Sequence, residues 1–152
     1  MTAFIDSDHA GDRITRRSRT GVLIFLMSAP ILWFSKKQNS VEGASFGSEF
    51  SALKTGTELI QGLRYKLRMM GIPIDGPTNV RIDNMSVVHN TTTPESMLKK
   101  KSNSIAYHYV REQVAMKTIR IAYENTKTNL ADCLTKIQSG VERLRLCSMF
   151  MY

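Results

Sequence analysis

Three apolar runs crowd into the first 35 residues, and the last two lie so close together that only a hairpin can join them. Residues 3–8 alternate or run apolar, residues 22–27 read VLIFLM, and residues 30–35 read PILWFS after a short turn at Ser28–Pro30. A polar, arginine-rich turn closed by glycine, DRITRRSRTG at 12–21, links the first run to the second. The chain therefore opens as an antiparallel meander of three strands, and whatever follows must pack on that sheet. After the loop KKQNSVEGAS, Ser45 is placed to cap a long helix reaching about Met70. Leu53, Gly56, Ile60, Leu63 and Leu67 fall within about 40° of one line at the helical step, and Gly71 stops the helix. A strand at 79–83, a short helical stretch through Asn90, and a polar loop at 91–103 come next. They are followed by a helix over 105–117, a strand over 118–124, and a helix over 129–138 with Leu130, Leu134 and Ile137 on one side. The order β-β-β-α-β-α-α-β-α predicts an α/β domain: a mixed five-stranded sheet, its first three strands antiparallel, with helices on both faces. One domain is read over 1–140, with 141–152 as a C-terminal extension whose order the sequence leaves open.

The longest apolar run is far too short to span a bilayer, so no membrane association is expected. No basic segment followed by an apolar stretch opens the chain, so no signal peptide is expected either, and the start can be a cut from something longer. The formal net charge of +8 points to a polyanion partner, because basic surface binds phosphate through counterion release. A merely basic surface is the competing account. Cys133 and Cys147 show no metal spacing and read as thiols in a reducing compartment.

Against that basic background, five acids stand out by their placement. Asp6 and Asp8 are two apart on the first strand and so point the same way. Glu49 lies on the same helical stripe as Leu53, Ile60 and Leu67, aimed into the fold, where an ionised carboxylate costs several kcal/mol unless compensated. A buried ion pair or a contact with the helix dipole would also explain it. Asp83 ends a strand and precedes a helix, the edge where α/β sheets build sites, although it could equally cap residues 84–90. Asp132 falls off the apolar stripe of its helix, and taken alone it reads as a solvated partner of Lys136 at i,i+4. If Asp6, Glu49, Asp83 and Asp132 converge, each close pair repels by about 4 kcal/mol at an effective dielectric of ~20. Divalent cations offset that most easily. Oxygen ligands without a His or Cys cluster favour Mg²⁺ or Mn²⁺, and a pair of such ions can hold a phosphodiester for attack by water.

These residues sit within an ordered set of seven motifs: DSDHAGD, RRSRTG, FLMSAPILWFSKKQ, SEFSAL, IDN, YHYVRE and LADCLTK. From about Phe4 to Lys136 the chain thereby resembles the ribonuclease H domain of copia-type (Pseudoviridae) retrotransposon Pol polyproteins. The resemblance implies a ribonuclease H-like fold and cleavage of the RNA strand of RNA–DNA hybrids with two Mg²⁺, Mn²⁺ being a possible substitute. It implies that Asp6, Glu49, Asp83 and Asp132 are the catalytic, metal-binding set, with Asp6 bridging both ions. Asp8 is not required and reads as a turn cap. It further implies a reverse transcriptase domain on the same polyprotein and an intracellular location, in a cytoplasmic particle or the nucleus.

The departures from the family pattern are local. His9 stands where an aromatic is usual, ASFGSEF lacks an earlier Glu, and SNSIA replaces Thr-Lys-His-Ile before YHYVRE. No His closely precedes Asp132, so proton shuttling there would fall to Asn125, Lys127 or water. Backbone contacts to nucleic acid are expected from Arg16, Arg17, Arg19, Lys36 and Lys37, with Lys99, Lys100 and Lys101 as further candidates. Each of these runs would otherwise be a solvated loop. Asn84, Ser45 and Ser48 are polar candidates for sensing the RNA strand. Trp33 and Phe34 read as core or sheet-face aromatics. The main alternative is a catalytically inactive or degenerate nucleic-acid-binding fragment of the same fold. Retention of all four acids argues against it, since a pure binder gains nothing from clustered negative charge. An integrase-type nuclease would place its Glu last, which this chain does not.

Overall fold

β1 (Thr2–Asp8), β2 (Arg19–Leu26) and β3 (Ala29–Lys37) pair antiparallel in sequence order, as the meander requires. β4 (Thr78–Ile82) then pairs parallel to β1, and β5 (Ile119–Tyr123) parallel to β4. The sheet order is β3-β2-β1-β4-β5, a mixed sheet of five strands. These are the features of a computed structural model that describes residues 1–97 and 103–151. Lys99, Lys100 and Lys101 lie outside the described residues.

Strand alternation divides the apolar side chains between two faces. Ala3, Ile5, Val22, Ile24, Val80, Ile82, Ile119 and Ile121 build the larger core with Phe50, Leu53 and Ile60 of α1 (Ser45–Met69), Val87 of α2 (Met85–Thr92), and Tyr107 and Val110 of α3 (Ser104–Ala115). Leu23 and Phe25 turn the other way, onto Leu130 and Leu146, with Phe4 packed against them. α4 (Asp132–Thr135) and α5 (Gly140–Ser148) lie on that second face. In the C-terminal residues, Ser139 caps α5, Leu146 is buried, and Phe150 meets Phe25 edge-on at 6.2 Å. No helix among the described residues is long and apolar enough to cross a membrane.

Several local expectations change. β2 starts at Arg19, because Arg19, Thr20 and Gly21 pair with Lys37, Lys36 and Ser35 on one side and with Asp8, Ser7 and Asp6 on the other. Pairing on both edges holds a polar segment in the ladder that composition assigned to the turn. Ala44, not Ser45, is the N-cap of α1, without a side-chain cap bond. The last predicted helix shrinks to one turn, and Ile137 is fully exposed instead of continuing an apolar stripe. Trp33 pairs across from Leu23 on the sheet but is 70% exposed, so it is a surface aromatic, while Phe34 packs against the core.

Candidate metal centre

The parallel register of β1 and β4 fixes the first two acids. Thr2, Ala3 and Phe4 pair with Asn79, Val80 and Arg81, after which the two strands part. Asp6 and Asp83 each lie two residues beyond the last pair, in step with one another at the carboxyl ends of adjacent parallel strands. α1 packs on β1 and β2 and brings Glu49, in its second turn, to the same point. One carboxylate oxygen from each of Asp6, Glu49 and Asp83 lies within 4.8 Å of the others.

The ordinary roles for these acids are not filled. α2 is capped by Asn84, whose side chain accepts from the Val87 amide at 3.2 Å, so Asp83 is not the cap. Among the described residues, no Lys or Arg lies within ion-pair distance of Glu49 or Asp83. Asp6 is 1% exposed, and its Oδ1 is buried without a partner. A buried carboxylate oxygen without a donor is costly, and three carboxylates this close, once all are ionised, would repel one another by roughly 3 kcal/mol per pair at an effective dielectric near 20. An all-oxygen set with an unsatisfied buried acceptor fits a hard divalent cation. Burial pushes the Asp6 carboxyl up to about 6, with Asp83 and Asp132 adding to the rise while Lys136 and the Thr135 hydroxyl oppose it. Burial, then Asp6 and Asp83, push Glu49 up to about 9, against Lys136 and the Ser7 amide.

Asp132 is close enough to affect Asp6 but is not part of the three-acid group. Its Oδ1 is paired with Lys136, the i,i+4 contact expected of it in isolation, and its Oδ2 accepts from the Gln138 amide. Thr135 donates to Asp6 Oδ2, and Lys136 Nζ lies 3.7 Å from the same oxygen. Thr135 and Gln138 were not legible as site residues. The only signal was their spacing from Asp132 in LADCLTKIQ, which acquires meaning once Asp6 is known to face that turn. Asp8 is partly buried, its carboxylate lying against Gly11, where any side chain would collide with it.

The basic candidates gather on the β1–β2 loop and the end of β3. Asp12 organises the loop by accepting from the Ile14 and Thr15 amides and the Thr15 hydroxyl, and it pairs with Lys37. Arg16 is exposed with φ +56°, in the left-handed region that this tight turn requires. Arg17, Arg19 and Lys37 share a hollow with Asp8, Asp12 and Thr135. Lys36 is exposed on the far side of β3's end, and Asn84 is half-buried beside Asp83. Ser48 contacts the His9 ring at 3.3 Å and donates to the Ser45 carbonyl.

No protein-family model matches the chain. It is 31% identical over 141 residues to a retrovirus-related Pol polyprotein from transposon RE2 of Arabidopsis thaliana, covering 93% of this chain and 10% of that one. It is 30% identical over 138 residues to the retrovirus-related Pol polyprotein from transposon TNT 1-94 of Nicotiana tabacum, covering 90% of this chain and 10% of that one. The chain thus spans about a tenth of the length of these relatives. Among solved structures it is similar to LC11-RNase H1, determined in complex with an RNA/DNA hybrid. The TM-score is 0.68 at 17% identity, covering 88% of this chain and 92% of that one, and the fold is therefore ribonuclease H-like.

Proposed function

We propose, on the premise that this chain is a ribonuclease H-fold relative of a segment of copia-type Pol polyproteins, that it is a metal-dependent endoribonuclease cutting the RNA strand of RNA–DNA hybrids. The observation that carries the reading is the meeting of Asp6, Glu49 and Asp83 within 4.8 Å, with Asp6 Oδ1 buried and unpartnered. These three would hold Mg²⁺, or Mn²⁺ in its place, and Asp132 would complete a two-ion site once its own partners release it. Such ions, when bound, lower the pKa of a water and neutralise charge developing on the phosphate.

The chain's own groups do the rest. The carboxylates serve as fixed ligands on two strand ends and a helix and need not act as nucleophiles. Arg16, Arg17, Arg19, Lys36 and Lys37 grip phosphates without reading bases. Asn84 keeps its amide nitrogen available beside Asp83 after its oxygen caps α2, and with Ser45 and Ser48 it is a candidate contact to the RNA strand. In a longer Pol polyprotein the domain would work alongside a reverse transcriptase.

The test is incubation with a labelled RNA–DNA hybrid and Mg²⁺. Internal cuts in the RNA, abolished by EDTA and by Asp83→Asn, are expected. Cutting that persists in Asp83→Asn refutes the site assignment. The engaged state of both Asp132 oxygens favours one second reading, a hybrid-binding domain that does not cut. Tight hybrid binding with no cleavage under Mg²⁺ or Mn²⁺ would establish it.

A further inference from the structure

The two sides of the acid cluster are not equivalent. On the α4 side, a single ammonium serves two carboxylates: Lys136 Nζ is paired with Asp132 Oδ1 and lies 3.7 Å from Asp6 Oδ2. Thr135 also donates to that Asp6 oxygen, and Gln138 to the remaining Asp132 oxygen. On the other side, Glu49 and Asp83 have no Lys or Arg within ion-pair distance among the described residues. One half of the cluster therefore carries its own counter-charge, and the other half does not.

We propose that Lys136 is a built-in counter-cation occupying the Asp6–Asp132 side of the site, so that a divalent ion enters that side only by displacing it. The inference rests on the acids being a cation site, and it concerns how that site fills. An ion drawn to Glu49, Asp83 and Asp6 meets no positive group in its place. An ion that also needs Asp132 meets a like charge within bonding reach of both its ligands and is repelled by it. The displacement is feasible because the Lys136 side chain is 37% exposed and its ammonium ends a flexible four-carbon stem that can swing into water. Partly exposed i,i+4 ion pairs hold weakly, so a divalent ion between two carboxylates can win. Lys136 is thus a positioning residue, acting through Asp132. The two ions bind unequally: the first without rearrangement, the second in competition with Lys136.

The test is a Mn²⁺ titration of the whole chain, reading free Mn²⁺ by electron paramagnetic resonance, for wild type, Lys136→Met, Lys136→Arg and Asp83→Asn. Wild type is expected to show one tighter and one weaker ion. Lys136→Met should tighten the weaker one by about tenfold or more, the effect of removing one nearby like charge. Lys136→Arg should leave it weak. A weaker constant unchanged in Lys136→Met overturns the proposal while leaving the metal site intact. Mn²⁺ binding that is absent, or indifferent to Asp83→Asn, overturns the site itself and the proposal with it. A measurement on wild type alone guards against a variant that misfolds: acetylation of Lys136, followed by mass spectrometry, should accelerate on saturation with Mg²⁺. An unchanged rate contradicts the displacement.

Discussion

Glu49 concentrates the tension at the residue scale, because its backbone position serves the core and its side chain does not. It sits one helical turn before Leu53 on the buried stripe, yet it points at two other acids. Burial and those neighbours hold its carboxyl near 9, so in metal-free protein at neutral pH it keeps its proton. A carboxyl raised in this way contributes stability below its ordinary value near 4.5, and that stability is lost as pH climbs through about 9. Asp6 behaves likewise between about 3.8 and about 6. Metal-free protein should therefore lose stability, on the order of 5 kcal/mol, between pH 5 and pH 8. Glu49→Gln should flatten most of that slope in urea melts across the range. A wild-type slope that the substitution leaves unaltered would show that Glu49 is not the strained group. Since a ligand carboxylate must ionise, Mg²⁺ binding at pH 7.5 should also release about one proton. Calorimetry in buffers of different ionisation enthalpy reads that number directly.

At the scale of elements, the site depends on how closely α4 seats against the sheet. Gly21 lies opposite Asp6 in the ladder, and a Cβ there would stand 2.6 Å from Thr135 Cγ2 and 2.9 Å from the Ala131 carbonyl. Gly21→Ala should lift α4, costing about 1–3 kcal/mol as overpacking does. It should also cut hybrid cleavage more than it cuts Asp83-dependent Mn²⁺ binding, because Thr135, Lys136 and Asp132 move while Glu49 and Asp83 stay. Equal losses in both would argue for a general collapse. The elements themselves were largely legible, since the apolar runs and the α1 stripe have unambiguous periods. What was hidden was decided by pairing. Arg19–Gly21 join β2 because strands on both sides need their amides. Ile137 leaves its helix because α4 ends at Thr135. The convergence of Asp6 with Asp83 follows from a parallel register that residue patterns alone do not specify. The approach of Asp132 stops short because Lys136 and Gln138 hold it; the i,i+4 spacing made the Lys136 pair legible, whereas the Gln138 contact follows from a turn beyond α4 that periodicity does not specify.

The whole molecule combines a net charge of +8 with an acidic cluster of two buried carboxyls and one half-buried one. The surface charge attracts a polyanion at long range, and the acids mark one point on it. Hybrid affinity should fall with added salt, and replacing Arg17 or Lys36 with Ala should each reduce the log–log slope by about one if it meets a phosphate. Fluorescence anisotropy over a salt series checks this, and a slope identical to wild type would return that side chain to the solvated loop. Three acids from two strand ends and one helix are expected to share a divalent cation. Anomalous scattering from crystals grown with Mn²⁺ tests it most directly. A peak bonded to Asp6, Glu49 and Asp83 is expected, whereas an empty cluster at saturating Mn²⁺, with the three side chains turned apart, would contradict it.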